Sequence, residues 1–228
     1  MLNSPRLANI SSTHRTEPVP TSRIIGITGG IAMGKTTVSN RLETYYGLTV
    51  LDADSYARDA VAIGTPILNA IILRYGPEIL LPDQSLDRAK LGQIIFSQPD
   101  DRTWLNAQIH PEVRFRMQQD SDRAIQDNQR KRSGLHSHLS VEFRIFWIVP
   151  LLFETSMTEL VDEIWVIYCH REQQIKRLCN RSGLTQAEAN LRIQAQLDIQ
   201  VKCEGADVIL DNSQSTDRLY EQIKQALR

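Results

Sequence analysis

The sequence predicts an α/β protein in three layers, a five-stranded parallel sheet flanked by helices. Three observations carry this. Short apolar runs rich in β-branched and aromatic residues alternate with longer stretches of helical spacing. Two of the runs, 143–152 and 163–168, are apolar almost throughout, as strands covered on both faces of a parallel sheet must be. The first run leads straight into glycines and then a helix, which implies a right-handed crossover to the next strand.

Taken in order, the first strand is expected at 23–28 and its helix at 35–46, closed by Gly47. A second strand, 48–51, runs into Asp52-Ala53-Asp54. From there to about 128 the pattern is helical, punctuated by Pro66, Pro77, Pro82, Pro99 and Pro111, and reads as about five helices. Some of these would lie away from the sheet, as a small helical subdomain over about 60–130. The polar stretch 126–138, with Arg130-Lys131-Arg132, reads as a surface loop or a fraying helix end. A basic helix at 171–181 follows the fourth strand. Thr185 with Glu188 has the spacing of a capping box for a helix reaching about Leu197. The fifth strand is 207–210, before a terminal helix.

Composition bounds the class. The 228 residues suffice for one α/β domain with a core of its own. A net charge of -1 argues against a nucleic-acid partner. No apolar run is long enough to span a membrane, and residues 1–22 lack the apolar centre of a signal peptide. That stretch reads as a disordered extension. Cys169, Cys179 and Cys203 form no CxxC pair and are odd in number. Reduced thiols in a cytoplasmic protein are the expectation. Oligomeric state is not legible, and a monomer is compatible with the pattern.

The decisive segment is Gly29-Gly30-Ile31-Ala32-Met33-Gly34-Lys35-Thr36-Thr37. It fits G-x-x-x-x-G-K-[ST] between a strand and a helix, the context of a phosphate-binding P-loop. Glycines let successive N–H groups curl towards phosphate oxygens, and the helix N-terminus adds partial positive charge. Lys35 would neutralise the β- and γ-phosphates, and the Thr36 hydroxyl would ligate Mg²⁺. ATP with Mg²⁺ is therefore the expected cofactor. No D-x-x-G and no [NT]-K-x-D occurs, so a GTPase switch is excluded and a small-molecule kinase favoured.

Asp52 and Asp54 fall at the carboxyl end of the second strand, the edge where open parallel sheets bind ligands. Either carboxylate could accept the proton of an attacking hydroxyl. If the strand persisted, the two would face opposite sides. Alternatively, Asp54 is a helix N-cap and Asp52 a turn residue.

Here the chain resembles the dephospho-coenzyme A kinase family. The run 27–37 is similar to its phosphate loop, and Asp52-Ala53-Asp54-Ser55-Tyr56-Ala57-Arg58 to its DAD-x-x-A-R. His110-Pro111, Val149-Pro150-Leu151-Leu152-Phe153-Glu154 and Ala206-Asp207-Val208-Ile209-Leu210-Asp211-Asn212 follow in the family's order, over roughly 23–228. The resemblance implies a P-loop kinase fold that phosphorylates the 3′-hydroxyl of dephospho-coenzyme A. It implies Asp54 as the catalytic base or hydroxyl-orienting residue, with Arg58 and His110 on the acceptor side. His110 also reads as a capping residue before a proline at a helix start.

A lid at about 171–195 would bring arginines onto the transferring phosphate. Arg171, Lys176, Arg177 and Arg181 are candidates, and Arg177 and Arg181 share a helix face. The resemblance favours Arg181 as catalytic and Arg177 as nucleotide-binding; Arg192 is weaker. Asn212, after the fifth strand, is either an adenine contact or a turn residue. Family members often have Gly and Ser where this chain has Ala32 and Met33. Ala32 becomes a departure that matters only if its position needs positive φ. The alternatives are a nucleoside or nucleotide kinase, drawing on Arg74, Arg88, Arg102, Arg114 and Arg116, and a nucleotide-binding regulator without transferase activity.

Overall fold

A computed structural model describes residues 22–133 and 142–228. The expected extension before Ser22 and the part of the polar stretch at 134–141 lie outside the described residues. Five strands form one parallel sheet: β1 Ser22–Gly29, β2 Thr49–Asp52, β3 Phe143–Ile148, β4 Glu163–Tyr168 and β5 Val208–Asp211. The order is β2-β3-β1-β4-β5. In register, Ser22 pairs with Phe143 and Ile27 with Ile148, while Gly29 pairs with Ile167 on the other side. All five carboxyl ends therefore lie on one edge.

Side chains alternate across the strands and build two separate cores. Phe146 and Ile148 join Ile25, Ile27, Trp165 and Ile167 beneath helices α1 (Lys35–Asn40) and α9 (Thr216–Ala226). Ile145 and Trp147 face the opposite way, onto Ala53, Val113, Met117 and Leu152. Trp147 carries a polar indole into that core. Its Nε1–H donates to Ser121 Oγ at 2.9 Å, so the burial leaves no orphan donor.

The helical layer comprises α2 (Ala53–Asp59), α3 (Pro66–Tyr75), α4 (Arg88–Ser97) and α5 (Pro99–Ser133). It has a third core of its own, including Val61, Leu68, Ile71, Ile79, Leu91 and Leu105. Four helices and a short 3₁₀ turn thus stand where about five helices were expected, because α5 is continuous over 35 residues. It passes through Pro111, so His110-Pro111 is not a helix start and His110 is no cap. The proline removes the bond to the Ala107 carbonyl, but both residues are exposed and water can serve that carbonyl. Leu105 buries in the third core and Val113 and Met117 in the second, so continuity gains more than a break would. Residues 126–133 likewise belong to α5 rather than to a loop.

Other differences are small. β1 begins at Ser22, which the sequence placed in the extension. β3 stops at Ile148, and 150–153 turn. The first helix widens into a π-turn at Arg41–Tyr45, where the Arg41 guanidinium lies 3.4 Å from the Tyr45 ring centroid and 4.2 Å from that of Tyr220. The remaining helices are α6 (Arg171–Ser182), α7 (Gln186–Gln194) and α8 (Ile199–Glu204). The capping box at Thr185 and Glu188 is present on α7. No helix among the described residues is long and apolar enough to cross a membrane.

Burial locates the stability. Trp147→Ala should lower the unfolding free energy by roughly 3–5 kcal/mol in equilibrium urea denaturation. Leu73→Ala, at a position 87% exposed, should change it by less than about 0.5 kcal/mol.

Candidate active site

The phosphate loop leaves β1 where the chain has least room. At Gly29 (φ 147°) a Cβ would lie 2.5 Å from the Ile167 carbonyl oxygen of β4, and at Gly34 (φ 108°) it would collide with Asn212 Nδ2. Both glycines are therefore required by close backbone approach as well as by conformation. Ala32 also has positive φ, 60°. Its departure from glycine thus does matter, at a cost on the order of 1 kcal/mol for a left-handed non-glycine residue.

Side chains from distant elements hold the loop. Gln174 Nε2 of α6 donates to the Ile31 carbonyl at 2.9 Å, and Ile31 N–H donates to Gln196 Oε1 at 2.7 Å. Gly30 N–H donates to Met33 Sδ at 3.2 Å, with the Met33 side chain buried. Lys35 Nζ donates to the carbonyls of Gly29 at 2.7 Å and Gly30 at 3.0 Å. Burial pushes the Lys35 ammonium down to about 8. Lys202 and Arg181 lower it further, while Asp54 and Asp52 partly oppose them.

Above the loop is a hollow of about 330 Å³ lined by Ala32, Gly34, Lys35, Thr36, Thr37, Arg177, Arg181, Asn212 and Thr216. It gathers most of the phosphate-site residues expected from sequence. Gly29, Gly30 and Met33 do not line it, and Gly30 and Met33 line a second cavity beside α7 and α8. Asn212 is largely buried and bridges elements: its Nδ2 donates to the Met33 carbonyl at 2.9 Å, and its own carbonyl accepts from Arg177 Nη2 at 3.0 Å. Neither sequence reading of Asn212 included this tie to the loop. Arg177 Nη1 is buried without a protein hydrogen-bond partner, which suits contact with an anionic or polar ligand. Arg192 is exposed on α7 and does not line the hollow, and Arg171 Nη2 donates to Asn190 Oδ1 instead.

The carboxylates occupy the adjoining turn, with their expected roles exchanged. Asp52 is the last residue of β2, paired with Ile148, and is itself the N-cap: its Oδ1 accepts from Asp54 N–H at 3.0 Å. Asp54 sits in the first turn of α2, so strand alternation does not govern the pair. Burial raises the Asp54 carboxyl above its ordinary range, Asp52 adds to this, and Lys35 and Arg58 oppose it. Asp54 and Arg58 open onto a groove of about 510 Å³ whose walls include Val61, Leu86, Leu91 and Ile109, with Arg88 at its edge. Arg58 Nε donates to the Asp54 carbonyl at 3.0 Å, and Arg88 Nη2 to the Arg58 carbonyl at 3.0 Å. His110 does not line this groove; it is half-buried in α5, with burial and Arg114 holding its pKa below the usual value.

Thr36 belongs to the phosphate hollow and also to an acidic hollow with Asp52, Asp59 and Asp120. No group of three or more His, Cys, Asp or Glu among the described residues could hold a metal. One hydroxyl and one nearby carboxylate do suit Mg²⁺, which keeps waters and takes oxygens from substrate phosphates.

Gln174, Gln196, Glu154 and Lys202 were missed as parts of this site. Glu154 carried a motif signal, but for a turn; the other three carry none, because their partners lie 48 or more positions away.

Comparison with known proteins fits this geometry. A family model described as dephospho-CoA kinase matches residues 23–218. The dephospho-CoA kinase of Trichormus variabilis is 49% identical over 207 residues, covering 91% of this chain and 97% of its own. That of Synechococcus elongatus is 43% identical over 205 residues, covering 90% and 91%. Among solved structures, the dephospho-CoA kinase from Campylobacter jejuni superposes with a TM-score of 0.64 at 25% identity, covering 89% of this chain and 94% of its own. A Thermus thermophilus crystal structure gives 0.71 at 30%, covering 91% and 97%. The matched span takes in the phosphate loop, the Asp52–Asp54 turn and Asn212 alike, and the chain belongs to the dephospho-CoA kinase family.

Proposed function

We propose that this chain transfers the γ-phosphoryl group of ATP to the 3′-hydroxyl of dephospho-coenzyme A, with Mg²⁺ held by Thr36 and the Asp52 side of the turn. The observation that carries the reading is that Lys35, Thr36 and Arg181 line one phosphate hollow while Lys35 is within electrostatic reach of Asp54, which opens onto the apolar groove. Phosphoryl transfer asks for alignment and charge neutralisation more than for covalent chemistry. Thr36, with the Asp52 carboxylate nearby, would hold the metal, which would supply charge neutralisation at the phosphates. The loop amides and α1 cradle the phosphates. Lys35 and Arg181 meet the charge that builds up during transfer, and Arg177 and Asn212 border the nucleotide. Asp54 takes the proton of the attacking hydroxyl or orients it. Its raised pKa gives it basicity an exposed carboxylate lacks.

The acceptor reading rests on which arginines line the groove. Arg58 and Arg88 do, and suit a pyrophosphate, while the apolar walls suit a long, weakly polar arm. Arg74, paired with Asp101 at 2.7 Å, Arg116, paired with Glu112 at 2.6 Å, and Arg114, bonded to the Thr155 carbonyl, do not line it. Residues 60–130 then act as the acceptor subdomain and 171–195 as the lid that excludes water. Three free cysteines fit the reducing cytoplasm.

ADP release should be seen with dephospho-coenzyme A and not with AMP or adenosine. Turnover confined to AMP or adenosine would sink the acceptor assignment, and none with any acceptor would favour a regulator. Asp54→Asn should reduce kcat by about 10²–10⁴-fold and leave the KM for ATP within about threefold. A kcat within tenfold of the unaltered chain would remove Asp54 from the base role.

The pH profile has a definite sign. Lys35 must be protonated to bind phosphate, and its free-chain pKa is about 8. kcat/KM for ATP should therefore fall as pH rises through about 8. The limb in kcat should lie higher, since bound phosphate favours the ammonium.

A further inference from the structure

Lys202 is the buried charge that the reaction as described does not use. It is fully buried on α8 although a lysine ammonium is costly to remove from water. Its Nζ lies 2.8 Å from Glu154 Oε1 and donates to the Pro150 carbonyl at 3.2 Å. Those partners are strategic. The Pro150 carbonyl also accepts from the Thr28 hydroxyl at 3.2 Å, and Thr28 immediately precedes Gly29 of the phosphate loop. Glu154 Oε1 also accepts from Leu197 N–H at 3.3 Å, and Leu197 follows Gln196, which accepts from Ile31 N–H at the loop's apex. One ammonium thus links the exit of β1, the turn after β3 and the segment joining α7 to α8.

We propose that Lys202 is a positioning residue for phosphoryl transfer: pinned by Glu154 and Pro150, it ties the exit of β1 to the segment joining α7 to α8 and so fixes the phosphate loop held between them. An apolar residue of similar volume would pack at least as favourably, since a buried ion pair seldom repays its desolvation. A lysine there serves instead to join the three elements whose groups meet at its ammonium.

This inference rests on the kinase reading, and turnover of dephospho-coenzyme A by the unaltered chain tests that reading first. The experiment compares Lys202→Met, Lys202→Gln and Lys202→Arg in steady-state kinetics at a temperature where each variant is folded, with thermal melting and circular dichroism on each. The neutral variants should lose about tenfold or more in kcat/KM for ATP and keep the KM for dephospho-coenzyme A within about threefold. Lys202→Arg should restore most of the turnover. A purely structural lysine would lower the melting temperature and leave the kinetics of the folded variants unchanged, which would overturn the proposal. So would equal damage in Lys202→Arg and Lys202→Met. If Lys202→Met does not fold, Lys202→Gln takes its place; failure of both to fold would assign Lys202 to stability alone and overturn the positioning role.

Discussion

The parallel register of β1 between β3 and β4 is the constraint on which the rest depends. Because each ladder in the sheet is parallel, Gly29, Asp52, Ile148, Tyr168 and Asp211 all end at one edge. The phosphate loop, the carboxylate turn and the Asn212 corner are the next residues of three of those strands. Candidate site residues separated by 158 positions, Asp54 and Asn212, come to the same edge of the sheet without any specialised device. The close fit at Gly29 and Gly34 follows from the same register, since the loop must squeeze between the ends of β4 and β5.

Charge is the second organising quantity. Lys35, Lys202, Arg181 and Arg177 crowd a small volume, set against Asp52, Asp54 and Glu154. Crowding like charges in a partly desolvated place is unfavourable in the protein alone and favourable once polyphosphate is present. The depressed Lys35 and the raised Asp54 are two readings of that tension. Each group is shifted chiefly by burial, and each is partly rescued by the other.

The helical layer shows how separate cores serve one site. α5 packs against the sheet through Val113 and Met117 and against α3 and α4 through Leu105. This long helix lets the groove beside Asp54 have apolar walls drawn from a core distinct from that of the sheet. Rigidity beside the Asp54 groove and beside the phosphate loop is thereby supplied by different sets of contacts.

The sequence by itself determined the layers, the five strands within one to four residues at their ends, the phosphate loop and the Asp52–Asp54 turn. These are local matters: periodicity, glycine spacing and capping chemistry act over a few residues. Tertiary structure decided the rest. The cap fell to Asp52 rather than Asp54 because the ladder with β3 carries β2 one residue further. Pro111 failed to start a helix because buried residues on either side of it belong to two cores. Gln174, Gln196 and Lys202 gained their places from partners 48 to 165 positions away, contacts that no local spacing encodes and that exist only once the sheet has brought its strand ends together.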